Sequence, residues 1–142
     1  VRSTDDRSSR PTLLVVDAAN VVGSVPDGWW HDRVAATERL RSALAPVADR
    51  GLQHGGVSGL EPPLEVVLVV EGKARPVEST PDVRVVAATG SGDDTIVDLV
   101  SQATQGHRRC VVVTADRGLR SRVVALGADV VGPRTVYPVD DS

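Results

Sequence analysis

The chain has 142 residues, enough for one domain with a single real core and too few for two. Its 16 Lys plus Arg against 19 Asp plus Glu give a formal charge of −3, which excludes a binder held to nucleic acid by bulk positive charge alone. With no Phe, no Met, two Trp and one Tyr, the core must be Val, Leu and Ala, and aromatic base-stacking modules are disfavoured.

Residues 1 to 11, rich in Ser, Arg and Asp, predict a disordered tail. Leu13-Leu14-Val15-Val16, ending in Asp17, predicts a strand buried on both faces. From Asp27 the pattern turns helical, with Val34, Leu40, Ala43, Leu44 and Val47 at spacings of three and four, a long helix bent or stopped near Pro46. Gln53 to Pro63 reads as a loop. Val66 to Val70 and Val83 to Val86 predict two further strands, joined by a short polar stretch with Pro76 and Pro81, a crossover expected to lack a full helix. Asp93 to Gln105 has helical spacing at Ile96, Val97, Val100 and Ala103. Cys110 to Val113 is a fourth strand, Gly118 to Ala125 a helix closed by Gly127, and Asp129 to Val131 a fifth strand. Strands made almost wholly of Val and Leu, alternating with helices, imply a three-layer α/β fold around a mostly parallel sheet. The domain spans 12 to 136, with a C-terminal tail at 137 to 142. The lone Cys110 allows no internal disulfide. No apolar run reaches a membrane span and no leader pattern is visible, so a soluble cytoplasmic protein is expected.

In open parallel sheets, ligands bind beyond the carboxyl ends of the strands. There the first strand delivers Asp17, with Asn20 after it; the second ends at Glu71; the third leads into Gly90-Ser91-Gly92-Asp93-Asp94; and the fourth ends Thr114-Ala115-Asp116. Asp94 and Asp98, four apart on a helix, share one face, where like charges repel unless a cation intervenes. No His or Cys accompanies them, since His31, His54 and His107 are scattered. The all-oxygen set Asp17, Asp94, Asp98 and Asp116 suits Mg²⁺ or Mn²⁺ better than zinc. Taken singly, each Asp is as well explained by a cap or turn: Ser91-x-x-Asp94 resembles a capping box, Asp116 suits an N-cap and Asp17 a turn. Their convergence on one crevice, with Asp98 inside a helix, favours the joint metal-site reading.

Leu14-Val15-Val16-Asp17-Ala18-Ala19-Asn20, the Gly90-to-Asp98 segment, and Val112-Val113-Thr114-Ala115-Asp116-Arg117 followed by Gly127-Ala128 resemble the PIN-like nucleases, in particular the NYN branch with its YacP-like proteins. The resemblance covers residues 12 to 136. It implies a metal-dependent ribonuclease with a sheet order like 3-2-1-4-5. It places the family's first-strand Asp on Asp17, the following Asn on Asn20, the middle acidic pair on Asp94 and Asp98, and the fourth-strand Thr-x-Asp on Thr114 and Asp116. Relatives often have Glu where this chain has Asp98, a departure that leaves the number of metals open. Mg²⁺ or Mn²⁺ held by Asp17, Asp94, Asp98 and Asp116 would activate water against an RNA phosphodiester. Asn20 would orient a carboxylate or the water, and Thr114 would support a ligand.

Lys73, Arg75, Arg117 and Arg120 fall on the carboxyl-end side as candidate phosphate contacts, against ordinary surface charge. Arg108 and Arg109 fall at the opposite end. Trp29 and Trp30 are expected to pack against the sheet or loop, or else to stack on a base. Two rivals stand: a catalytically silent RNA-binding or protein-interaction module of the same fold, and a haloacid dehalogenase-like phosphatase with Asp17 as nucleophile. The second is weakened by Ala19, where those enzymes typically carry another Asp. A nucleotide-binding Rossmann domain is weaker still, because no glycine fingerprint follows the first strand.

Overall fold

The computed structural model describes residues 11–24, 31–51 and 61–136. Most of both expected tails, Trp29 and Trp30, His54 and most of the expected 53–63 loop lie outside the described residues. Among the described residues there are five strands: β1 (Thr12–Asp17), β2 (Leu64–Val70), β3 (Val83–Ala87), β4 (Cys110–Val113) and β5 (Asp129–Val131). They form one sheet in the order β3-β2-β1-β4-β5, and every neighbouring pair is parallel. This is the order that the family resemblance implied.

The described residues also form the helices α1 (Ala18–Gly23), α2 (Arg33–Arg50), α3 (Gly92–Gln105) and α4 (Arg117–Ala125). Because successive strand residues point to opposite faces, the Val runs serve two cores at once. Leu14, Val16, Val66, Leu68, Val111 and Val113 pack with Ala36, Leu40 and Leu44 of α2 and with Val21 and Val22 of α1. Leu13, Val15, Val67, Val69 and Val112 pack with Ile96 and Val100 of α3 and with Leu119 and Val123 of α4. Each fully buried Val or Leu contributes about 1.5–3 kcal/mol, and two covered faces explain why β1 and β4 show no polar alternation.

Helix α2 begins at Arg33, with Asp32 Oδ1 accepting from the Ala35 N–H at 3.0 Å. It runs on through Pro46 to Arg50, beyond the expected stop. Pro46 cannot donate to the carbonyl of Ser42, but both residues are exposed, so water can satisfy that oxygen. The β2–β3 connection holds only a 3₁₀ turn at Gly72–Ala74, as its prolines suggested. Helix α4 closes in a Schellman turn: Gly127 sits at φ 101°, Gly127 N–H donates to Val124 O at 2.9 Å and Ala128 N–H to Val123 O at 3.1 Å. Helix α3 closes the same way with a non-glycine, His107 at φ 59°. Cys110 is buried in β4, and that burial pushes its thiol up to about 12, which makes it an inert packing residue. No helix among the described residues is long and apolar enough to cross a membrane.

Candidate active site

Strand β1 connects through α2 on one face of the sheet, and β4 through α4 on the other. The β1/β4 boundary is therefore the switch point, with a crevice at the carboxyl ends of the two strands. Asp17 closes β1 there and is only 5 % exposed. Its Oδ2 accepts from Thr114 Oγ1 at 2.9 Å, and its Oδ1 accepts from the Asn20 N–H at 3.4 Å, capping α1. Asn20 Oδ1 in turn accepts from the Ala115 N–H at 2.8 Å, which ties the first turn of α1 to the segment after β4. Thr114 Oγ1 also accepts from the Asp116 N–H at 3.1 Å. Asp116 Oδ1 accepts from the Leu119 N–H at 2.9 Å, capping α4. Asp17 and Asp116 are thus cap residues and members of one hydrogen-bonded group at the same time.

Two further carboxylates join them. Glu71 follows β2, and its Oε1 accepts from the Gly92 N–H, the first residue of α3, at 3.2 Å. Gly92 is required by this approach, because a Cβ at that position would overlap the Glu71 carboxylate. Asp93, half-buried in the first turn of α3, feels the negative charges of Asp116, Glu71 and Asp94. Burial first, then these like charges, raises its pKa above the ordinary 3.8, against the pull of Arg122. Asp17 goes further. Burial, reinforced by Asp93 and Glu71, lifts it from 3.8 to about 6 despite the hydrogen bonds from Thr114 and Asn20. The electrostatic group at the crevice is therefore Asp17, Glu71, Asp93 and Asp116.

Asp94 and Asp98 stand outside that group. Helix α3 buries Gly92, Ile96, Val100 and Ala103, and at 100° per residue Asp93 flanks this face while Asp94 and Asp98 fall on the far side. Both are exposed. Asp94 Oδ1 instead meets Arg122 Nη2 of α4 at 3.1 Å. Ser91 does cap α3, accepting from the Asp93 N–H at 3.1 Å. A four-residue spacing puts Asp94 and Asp98 on one face without fixing the phase of the helix, which Ile96 and Val100 set. Glu71 was visible as a strand-end acid, but its contact with Gly92, 21 residues away, has no local signature.

Lys73, Arg75, Arg117 and Arg120 are exposed in the segments that follow β2 and β4, at the carboxyl end. Arg75 Nε donates to Gly72 O at 3.3 Å. At the opposite end, Arg108 pairs with Glu65 at 2.7 Å and Arg109 with Asp129 at 3.0 Å. Among the described residues no three His, Cys, Asp or Glu side chains stand close enough, as placed, to hold a metal ion.

No protein-family model matches the chain, and no curated protein sequence matches it. Among solved structures it is similar to Rae1 (YacP) from Bacillus subtilis, with a TM-score of 0.60 and 18% identity over 87% of this chain and 70% of that one. The chain has the α/β fold of Rae1 (YacP), in agreement with the PIN-like, YacP-like resemblance carried by its three strand-end motifs.

Proposed function

We propose that the chain is a metal-dependent ribonuclease whose ions are held by Asp17, Asp93 and Asp116, with Glu71 beside them. The observation that carries this reading is the Asp17 carboxylate, buried at a strand end among like charges and raised to about 6. A group so placed is destabilised when ionised, and a cation among the four acids would relieve the burial and the repulsion together. The donor set is all oxygen, which fits Mg²⁺ or Mn²⁺. Bound there, the ions would supply the Lewis acidity that makes a water nucleophilic and neutralises charge on the phosphodiester. Thr114 holds the Asp17 carboxylate in one orientation, and Asn20 ties down the Ala115 backbone next to Asp116. Both Asp17 oxygens are engaged, an arrangement suited to a ligand and poor for a covalent nucleophile. The fold shared with Rae1 (YacP) supports the reading, and Asp94 and Asp98 are assigned to its rim instead of to its ligand set.

The absence of a ready-made three-carboxylate cage among the described residues favours the second reading, a catalytically silent RNA-binding module. Incubation of labelled RNA with Mn²⁺ or Mg²⁺ separates the two. Wild type is expected to cleave, with cleavage abolished by chelator and reduced at least about a hundredfold in Asp17→Asn and Asp116→Asn. Retention of RNA without cleavage, under every metal condition, supports the silent module and overturns the nuclease.

A further inference from the structure

Arg122 is a cation whose charge reaches the acidic group through Asp93. It projects from α4, two turns after the Asp116 cap, and reaches across to the first turn of α3, where one N–H meets Asp94. Its positive charge is felt by Asp93, the half-buried member of the group. The pair is open to solvent, with the Arg122 side chain 47% and the Asp94 side chain 72% exposed, so it adds little to folding. An exposed pair that adds little to stability, yet holds a guanidinium close enough for its charge to act on Asp93, calls for a different role. Arginine carries five N–H donors in a rigid fork that matches phosphate geometry. One is committed to Asp94.

We propose that Arg122, oriented by Asp94, receives a backbone phosphate of the RNA beside the carboxylate group, so that the strand crosses the α3–α4 seam. This inference rests on the ribonuclease reading. Arg122 is a binding residue and Asp94 a positioning residue that acts through it. The acidic crevice repels a polyanion, and a cation on its rim next to Asp93 supplies local attraction where the net charge of the molecule does not.

The test measures affinity for a fluorescent 2′-O-methyl RNA oligonucleotide in Mg²⁺ across a salt series, for wild type, Arg122→Ala, Arg122→Lys and Asp94→Asn. Arg122→Ala is expected to weaken binding several-fold and to make the slope of log affinity on log salt shallower by about 0.7, one lost phosphate contact on a single strand. Arg122→Lys is expected to keep the wild-type slope. Asp94→Asn removes a negative charge near the phosphate, so its affinity is expected to stay level or rise while kcat on cleavable RNA falls. A role confined to tying α3 to α4 would move the melting temperature of Arg122→Ala and leave its slope unchanged, and that result overturns the inference. So does a wild-type kcat in Asp94→Asn. If wild type itself neither retains nor cuts RNA, the ribonuclease reading has failed, whereas normal wild-type binding and cleavage with an unaltered Arg122→Ala slope fails the inference alone.

Discussion

Asp17→Asn is expected to make the metal-free protein more stable at neutral pH, although it removes a residue with two hydrogen bonds. Asp17 titrates near 6 in the folded chain and near 3.8 as a free carboxyl. Between those values the folded state binds more protons than the unfolded one, so the stability contributed by this group falls as pH rises through that window. The 2.2-unit difference (6 − 3.8) corresponds to about 3 kcal/mol of penalty fully developed above the folded pKa. About 2 kcal/mol of it develops between roughly pH 4.5 and 7.5. Asparagine is uncharged and escapes the penalty. Its amide oxygen keeps one acceptor contact, and the other costs about 1 kcal/mol. The net gain at about pH 7.5 is roughly 2 kcal/mol, or about 4–8 °C in Tm for a chain of this size, shrinking to near zero at about pH 4.5. Chemical or thermal unfolding in chelator at the two pH values measures it, and the comparison of variant with wild type cancels the other titrating groups. If Asp17→Asn is destabilised equally at both, the buried carboxylate carries no penalty and the electrostatic account of the crevice is wrong. Added Mg²⁺ is expected to narrow the gap by stabilising wild type and not the variant.

The same geometry sets other expectations. Gly92→Ala should fold with nearly unchanged Tm, because the Glu71 side chain can swing away from the new Cβ, yet lose Mn²⁺-dependent cleavage severalfold or more as the Gly92–Glu71 contact breaks; calorimetric melting and RNA cleavage read the two effects separately. Thr114→Val removes the hydroxyl that donates to Asp17 and accepts from Asp116 N–H, and should cost about 1–3 kcal/mol in urea unfolding while pushing Asp17 above its present value. His107→Gly should stabilise by about 1 kcal/mol, because a left-handed residue at the end of α3 favours glycine; thermal melting is the check, with no change in cleavage.

The architecture was legible in the sequence because a doubly covered sheet writes itself as Val and Leu runs, and Leu13 to Val16 or Val111 to Val113 can be little else. Helix α1 leaves little trace in the sequence: six residues, Ala18–Gly23, are too few for a 3.6-residue period to declare itself, and an Asp at a strand end suits a turn equally well. Pro46 suggested a stop that exposure of its turn makes unnecessary. At the crevice, strand-end positions placed Asp17, Glu71 and Asp116 correctly in space. Which of Asp93 and Asp94 lies nearer the buried face depends on the rotation of α3 against the sheet, a long-range packing matter that Ile96 and Val100 decide. The formal charge of −3 is consistent with an acidic crevice flanked by exposed cations.

The most direct test of the central claim is the position of Mn²⁺ in crystals of the wild-type chain, read from its anomalous scattering. An ion within coordination distance of Asp17, with Asp93 or Asp116 completing its ligands, is the expected result. A peak on the outer face of α3 at Asp94 and Asp98, or a saturated soak with no ion in the crevice between β1 and β4, would contradict it.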